Sequence, residues 1–194
     1  GNSIIKRHAL NYLYKRNIAD EDVIKYNIGY CDSGLYSNRI IIPSYDSEGQ
    51  LNFFVGRDFY KSKMKYKNPP MSKNVIIFEL FINWDEPLIL VEGSFDAIAS
   101  KRNAIPLFGK TILSNLKKKI YEKKVKDIYI ALDSDALTDS IRIMEEFMKN
   151  GINVYWIPVA YSNNMGFIRR IASFLIFSNS AAGTSVFIKF ALVH

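Results

Sequence analysis

Residues 87–97 read PLILVEGSFDA, and residues 127–136 read DIYIALDSDA. Each stretch is a short apolar run that ends abruptly in acid: Leu88–Val91 runs into Glu92-Gly93-Ser94-Phe95-Asp96, and Asp127–Leu132 into Asp133-Ser134-Asp135. Continuous apolar runs of four to six residues are the signature of strands buried on both faces. Between and around them the rhythm alternates. A helix is expected from Ser94 to about Arg102, a short strand over Ile105–Phe108, and a lysine-rich helix over Ser114–Lys124. A further helix over Thr138–Asn150 should close on Gly151, and a last strand should cover Asn153–Pro158. Such alternation predicts an α/β fold with a parallel sheet and flanking helices.

Working outward, the preceding residues read differently. A helix over Ser3–Arg16 and a short one from Asp20, with Asp20 as its cap, lead into a hairpin. The hairpin is RIIIPSY (Arg39–Tyr45) and LNFFV (Leu51–Val55), joined by the turn composition Asp46-Ser47-Glu48-Gly49. Residues 59–78 then contain five lysines and no acid, with Tyr60 and Tyr66 interleaved and Pro69-Pro70 holding the chain extended. The expected organisation is a mixed α/β subdomain over 1–85, a parallel-sheet domain over 86–159 and an atypical tail over 160–194.

The acids carry the chemistry. In an open α/β sheet, ligands bind beyond the carboxyl ends of the strands, where Glu92, Asp133 and Asp135 fall. Residues i and i+2 of an extended segment share a side, so Asp133 and Asp135 can face one cleft. Clustered carboxylates repel unless a cation sits among them, and all-oxygen ligands suit Mg²⁺ or Mn²⁺. An isolated Asp-x-Asp after a strand often only caps the next helix. It is the joint placement of two such motifs downstream of a basic loop that favours a site.

These residues resemble the Toprim domain, shared by bacterial-type primases, topoisomerases, a recombination mediator and some nucleases. The likeness rests on Glu92-Gly93-x-x-Asp96-Ala97 followed by Asp133-x-Asp135. The upstream half resembles the bacterial or bacteriophage-type primase catalytic core. Tyr12-Leu13-x-x-Arg16-x-Ile18, Ile28-Gly29-Tyr30, Arg39-Ile40-x-Ile42-Pro43, Asp46-x-x-Gly49, Val55-Gly56-Arg57 and Lys65-Tyr66-Lys67-Asn68-Pro69 occur in the family's order. The resemblance implies an RNA-polymerase core that joins ribonucleoside triphosphates on single-stranded DNA, with Glu92, Asp133 and Asp135 catalytic. The same three would hold Mg²⁺ or Mn²⁺, with Asp96 beside them. It also implies that Arg39, Arg57, Lys63, Lys65, Tyr66, Lys67 and Asn68 contact template or nucleotide. The lysines of 117–124 are expected to form a solvated helix face.

Other readings stay open. The same metal cluster could serve a nuclease, and a metal-poor primase remnant could simply hold single-stranded DNA. A type I topoisomerase needs a large tyrosine-bearing domain for which 194 residues leave no room. The recombination mediator needs a four-cysteine zinc module. Cys31 is the only cysteine, so no zinc is expected in this chain, and the cysteine count suits a reducing cytoplasm, bacterial or phage-infected. A net charge of +7 accords with a polyanionic partner. No secretory signal is evident, since Ile4-Ile5 runs at once into Lys6-Arg7. A replicative helicase partner is expected for a complete primase, but not through this segment.

The tail departs from the family. The third acidic motif, expected just after Val159, is missing, and no acid follows Glu146. A truncated or frame-shifted end would produce both features. Polar residues from Ser173 to Lys189 interrupt the apolar stretch of the tail, so no membrane span is expected.

Overall fold

A computed structural model describes residues 3–60, 62–109, 111–133, 136–157, 174–180 and 183–189. The chain divides into two units, with the break between Leu80 and Phe81.

In the first unit, α1 (Ser3–Tyr14) and α2 (Asp20–Lys25) precede a four-stranded antiparallel sheet. Its strands β1 (Gly29–Cys31), β2 (Arg39–Tyr45), β3 (Leu51–Asp58) and β4 (Tyr66–Lys67) lie in chain order. Ala9 and Leu13, one helical turn apart, bury the inner side of α1. The cap of α2 is not Asp20, which instead accepts from the Tyr14 hydroxyl at 2.6 Å. Asp22 does the capping: its Oδ2 takes the Ala19 N–H at 2.7 Å, one turn back from its own position. The β2–β3 hairpin closes as its composition predicts. Asp46 Oδ1 accepts the N–H groups of both Glu48 and Gln50, and Gly49 supplies the positive φ of 77°. Tyr26 packs on Phe78, and burial, then the Asp22 charge, pushes its hydroxyl pKa up to about 12.

The second unit is built on β5 (Leu88–Val91), α3 (Ser94–Ala99), β6 (Ala104–Pro106), α4 (Ser114–Glu122), β7 (Asp127–Ala131), α5 (Leu137–Lys149) and β8 (Asn153–Trp156). Strands β6, β5, β7 and β8 are parallel neighbours in that order. Leu88, Leu90, Ile105, Ile128, Ile130 and Val154 form a core without solvent contact. This is the expected α/β fold. Helix α3 is three residues shorter than expected, and β6 lies a residue or two earlier. In the tail, Phe174–Ser180 (β9) pairs antiparallel with β8 and with Gly183–Lys189 (β10), strands that the composition did not foretell.

Four helices stop the same way. After α1, α2, α4 and α5 a residue turns left-handed: Asn17, Asn27, Lys124 and Gly151. The next residue, Ile18, Ile28, Val125 or Ile152, donates its N–H five positions back and buries its side chain. The apolar residue after each helix therefore both satisfies a loose carbonyl and ties the helix end to the core.

Candidate active site

Strand order fixes where a ligand can enter. From β5 the chain crosses to β6 on one side, then returns past β5 to β7 on the other. The crevice at such a reversal, outside the carboxyl ends of the two strands, is where open α/β sheets bind ligands. Val91 and Ala131, the last paired residues of β5 and β7, lie opposite each other. Glu92 follows the first directly, and Asp133 lies two residues beyond the second, so both acids leave the sheet at the reversal point. Neighbouring strands are only about 4.8 Å apart.

The local backbone holds these acids in place. The Glu92 carbonyl accepts the Phe108 N–H at 3.0 Å, and the Asp133 carbonyl accepts the Ala136 N–H at 2.8 Å. Glu92 is half-buried, with Oε2 closed off from solvent. Asp96, expected beside the acids, turns its Oδ2 back to the Gly93 N–H at 3.2 Å and so caps α3. A methyl group on residue 93 would lie 3.1 Å from that oxygen, so glycine leaves room for the cap. Asp135 lies outside the described residues. Among the described residues no three His, Cys, Asp or Glu side chains group closely enough to hold a metal ion. The donor set present, two carboxylates at adjacent strand ends, has the all-oxygen chemistry that hard divalent cations take.

The cations of the first unit split into two kinds. Lys63 and Lys65 are exposed, as is Tyr66. Arg39 and Arg57 are instead only 7% exposed each, largely enclosed by the sheet and its loops. Arg39 Nη2 donates to the Met64 carbonyl at 3.1 Å, and its guanidinium stands 4.0 Å from Asp58. Ser62 Oγ also donates to Met64 O. One carbonyl thus anchors the basic loop while the lysines on either side of it stay in solvent. Lys67 is half-buried; its Nζ donates to the Leu35 carbonyl at 3.1 Å and stands over the Tyr36 ring. Gly56 passes so close to β4 that a methyl group there would collide with the Lys67 carbonyl at 2.4 Å. Two sealed polar atoms, Arg39 Nη1 and Asn68 Oδ1, have no hydrogen-bond partner among the described residues. Such groups are costly unless something completes them.

Sequence reasoning missed Tyr12 as a site residue. Arg57 Nε donates to its hydroxyl at 2.7 Å, across 45 positions of sequence. The only local signal was the Tyr12-Leu13-x-x-Arg16 pattern, which by itself says nothing about a partner in β3.

No protein-family model matches the chain. It is 34% identical over 139 residues to the uncharacterized protein MG010 of Mycoplasma genitalium, covering 66% of this chain and 62% of that protein. It is 24% identical over 201 residues to a DNA primase of Staphylococcus epidermidis, covering 78% of this chain but 33% of the primase. The primase catalytic core of E. coli superposes with a TM-score of 0.69 at 17% identity, over 87% of this chain and 70% of that one. The DnaG primase catalytic domain bound to single-stranded DNA gives 0.68 at 17% identity, over 84% and 69%. The chain therefore spans about a third of the length of the curated primase.

Proposed function

We propose that this chain, which has the fold of DNA primase catalytic cores and sequence similarity to DNA primases, is the RNA-polymerase core of a primase. It would synthesise short RNA primers on single-stranded DNA from ribonucleoside triphosphates by metal-dependent nucleotidyl transfer, in the cytoplasm of a bacterial or phage-infected cell. The observation that carries the reading is the arrival of Glu92 and Asp133 at the strand-order reversal between β5 and β7. That is where the sheet offers a ligand crevice.

Glu92 and Asp133, with Asp135, would hold Mg²⁺ or Mn²⁺. Such an ion, when bound, offsets charge on phosphate oxygens and aligns the incoming hydroxyl. The protein's own contribution is positional. Backbone bonds to Phe108 and Ala136 set where the acids leave the sheet. The Asp96 cap fixes the first turn of α3 behind Glu92. In the first unit, Lys63 and Lys65 supply phosphate neutralisation, and Tyr66, 45% exposed, offers a ring for a base. Among the described residues no helix is long and apolar enough to cross a membrane.

The direct test is incorporation of labelled ribonucleotide on a single-stranded DNA template with Mn²⁺ present or chelated. Metal-dependent product supports the reading. Loss of labelled DNA ends without added nucleotide would replace it with a nuclease. Single-strand binding without either reaction would leave a remnant.

Binding to single-stranded DNA should be salt-dependent through counterion release. Lys65→Ala should weaken it about equally for all sequences, since phosphate contacts carry no base information. It should also flatten the salt slope by about one unit of log K per log salt. Lys118→Ala is the control, because Lys118 is exposed on α4 and pairs with Glu122 at 3.6 Å. Equal losses from both substitutions, measured by fluorescence anisotropy, would mean diffuse charge rather than a groove.

A further inference from the structure

Arg57 is held by two tyrosines. Its Nε donates to the Tyr12 hydroxyl at 2.7 Å, and its guanidinium carbon lies 5.8 Å from the centre of the Tyr12 ring. The Tyr66 ring stands 4.5 Å away. Arg16 occupies a place over the same Tyr12 ring, at 5.0 Å. Two cations therefore share one tyrosine. Among the described residues no carboxylate forms an ion pair with Arg57, whereas Arg39 has Asp58.

A guanidinium can bind an oxyanion in bidentate fashion through its Nε/Nη edge or through its Nη1/Nη2 edge. With Nε engaged by Tyr12, the second edge is the bidentate face that remains. We infer that Tyr12 is a positioning residue. Its hydroxyl and ring, with Tyr66, pre-orient Arg57 so that the Nη1/Nη2 fork receives a phosphate oxygen pair. Tyr12 acts through Arg57 and does not touch the phosphate. The inference rests on the reading of this unit as a phosphate-binding surface. Preorganisation raises affinity by removing the ordering cost from the binding step, and lysine, lacking the planar fork, cannot be oriented this way.

The test is a double-mutant cycle on the full chain. Affinities for a fluorescent oligodeoxythymidine and for ATP are measured for the wild type, Tyr12→Phe, Arg57→Lys and the double variant, each with its thermal midpoint. Tyr12→Phe keeps the ring and removes only the acceptor. It should weaken binding about three- to tenfold and lower the thermal midpoint by a few degrees, because the enclosed Nε loses its acceptor. Arg57→Lys should weaken it at least as much although the charge is kept. The double variant should bind no worse than Arg57→Lys alone, because the hydroxyl has nothing left to orient. Loss confined to the oligonucleotide assigns the fork to a template phosphodiester, and loss confined to ATP assigns it to a nucleotide phosphate. Additive losses in the double variant overturn the positioning role, since Tyr12 would then act without Arg57. Wild-type affinity in Tyr12→Phe beside a weakened Arg57→Lys overturns it too, while sparing the phosphate-binding surface. Unchanged affinity in Arg57→Lys for both ligands overturns the fork. Lys65→Ala reports separately on whether the surface binds phosphate at all.

Discussion

Glu92→Gln should cut template-directed ribonucleotide incorporation by about 10²–10³-fold, the scale on which a single preorganised electrostatic group contributes to a transition state. The substitution is nearly isosteric and removes one negative charge from a site where Asp133 leaves the neighbouring strand. Because carboxylates held together repel, the thermal midpoint should stay level or rise in metal-free buffer. Activity therefore falls without a loss of stability, which a structural role for Glu92 would not produce. Asp133→Asn should act likewise and should weaken Mn²⁺ binding measured by calorimetry. Unchanged Mn²⁺ binding in Asp133→Asn, or full incorporation in Glu92→Gln, would remove the strand-end acids from the chemistry.

Phe147→Ala should be among the most damaging core truncations in the second unit. Phe147 is 1% exposed, and its ring meets Tyr121 edge-on with centroids 5.9 Å apart, joining α5 to the end of α4. Emptying such a position costs about 3–5 kcal/mol, a large share of a net stability of about 5–15 kcal/mol. One residue earlier, Glu146 pairs with Lys117 at 2.7 Å on the surface. Both side chains are partly exposed to solvent, so Lys117→Ala should cost about 1 kcal/mol or less. Urea denaturation separates the two. Comparable midpoint losses would mean that the surface pair, and not the ring, holds α5 down.

The effect of Phe147 was latent in the sequence, since Ile143, Met144, Phe147 and Met148 recur at helical spacing and all are buried. Strands β5 and β7 were legible for a similar reason: an apolar run between turn residues has few other places to go. The β2–β3 hairpin was written in Asp46 and Gly49, whose turn chemistry is local. So was the stop of α5 at Gly151. The position of Glu92 and Asp133 just past apolar runs was equally readable, and with it the expectation of a site at strand ends.

Other features depended on contacts between distant parts of the chain. Nothing near Asp20 in sequence says that Tyr14 takes its carboxylate while Asp22 caps the helix, because both geometries satisfy the same local pattern. Arg39 and Arg57 read as surface cations beside a lysine loop. The sheet instead buries them, and it can do so because Met64, Asp58, Tyr12 and Tyr66 supply acceptors and ring faces that are apart in sequence. The sequence by itself determined which segments become strands and helices, through apolar periodicity and turn chemistry acting over a few residues. Only the tertiary structure decided that β5 lies between β6 and β7, which puts the two acids at one reversal, and that Tyr12 meets Arg57. Both outcomes depend on strand order and register, which are set by burying all the apolar faces at once.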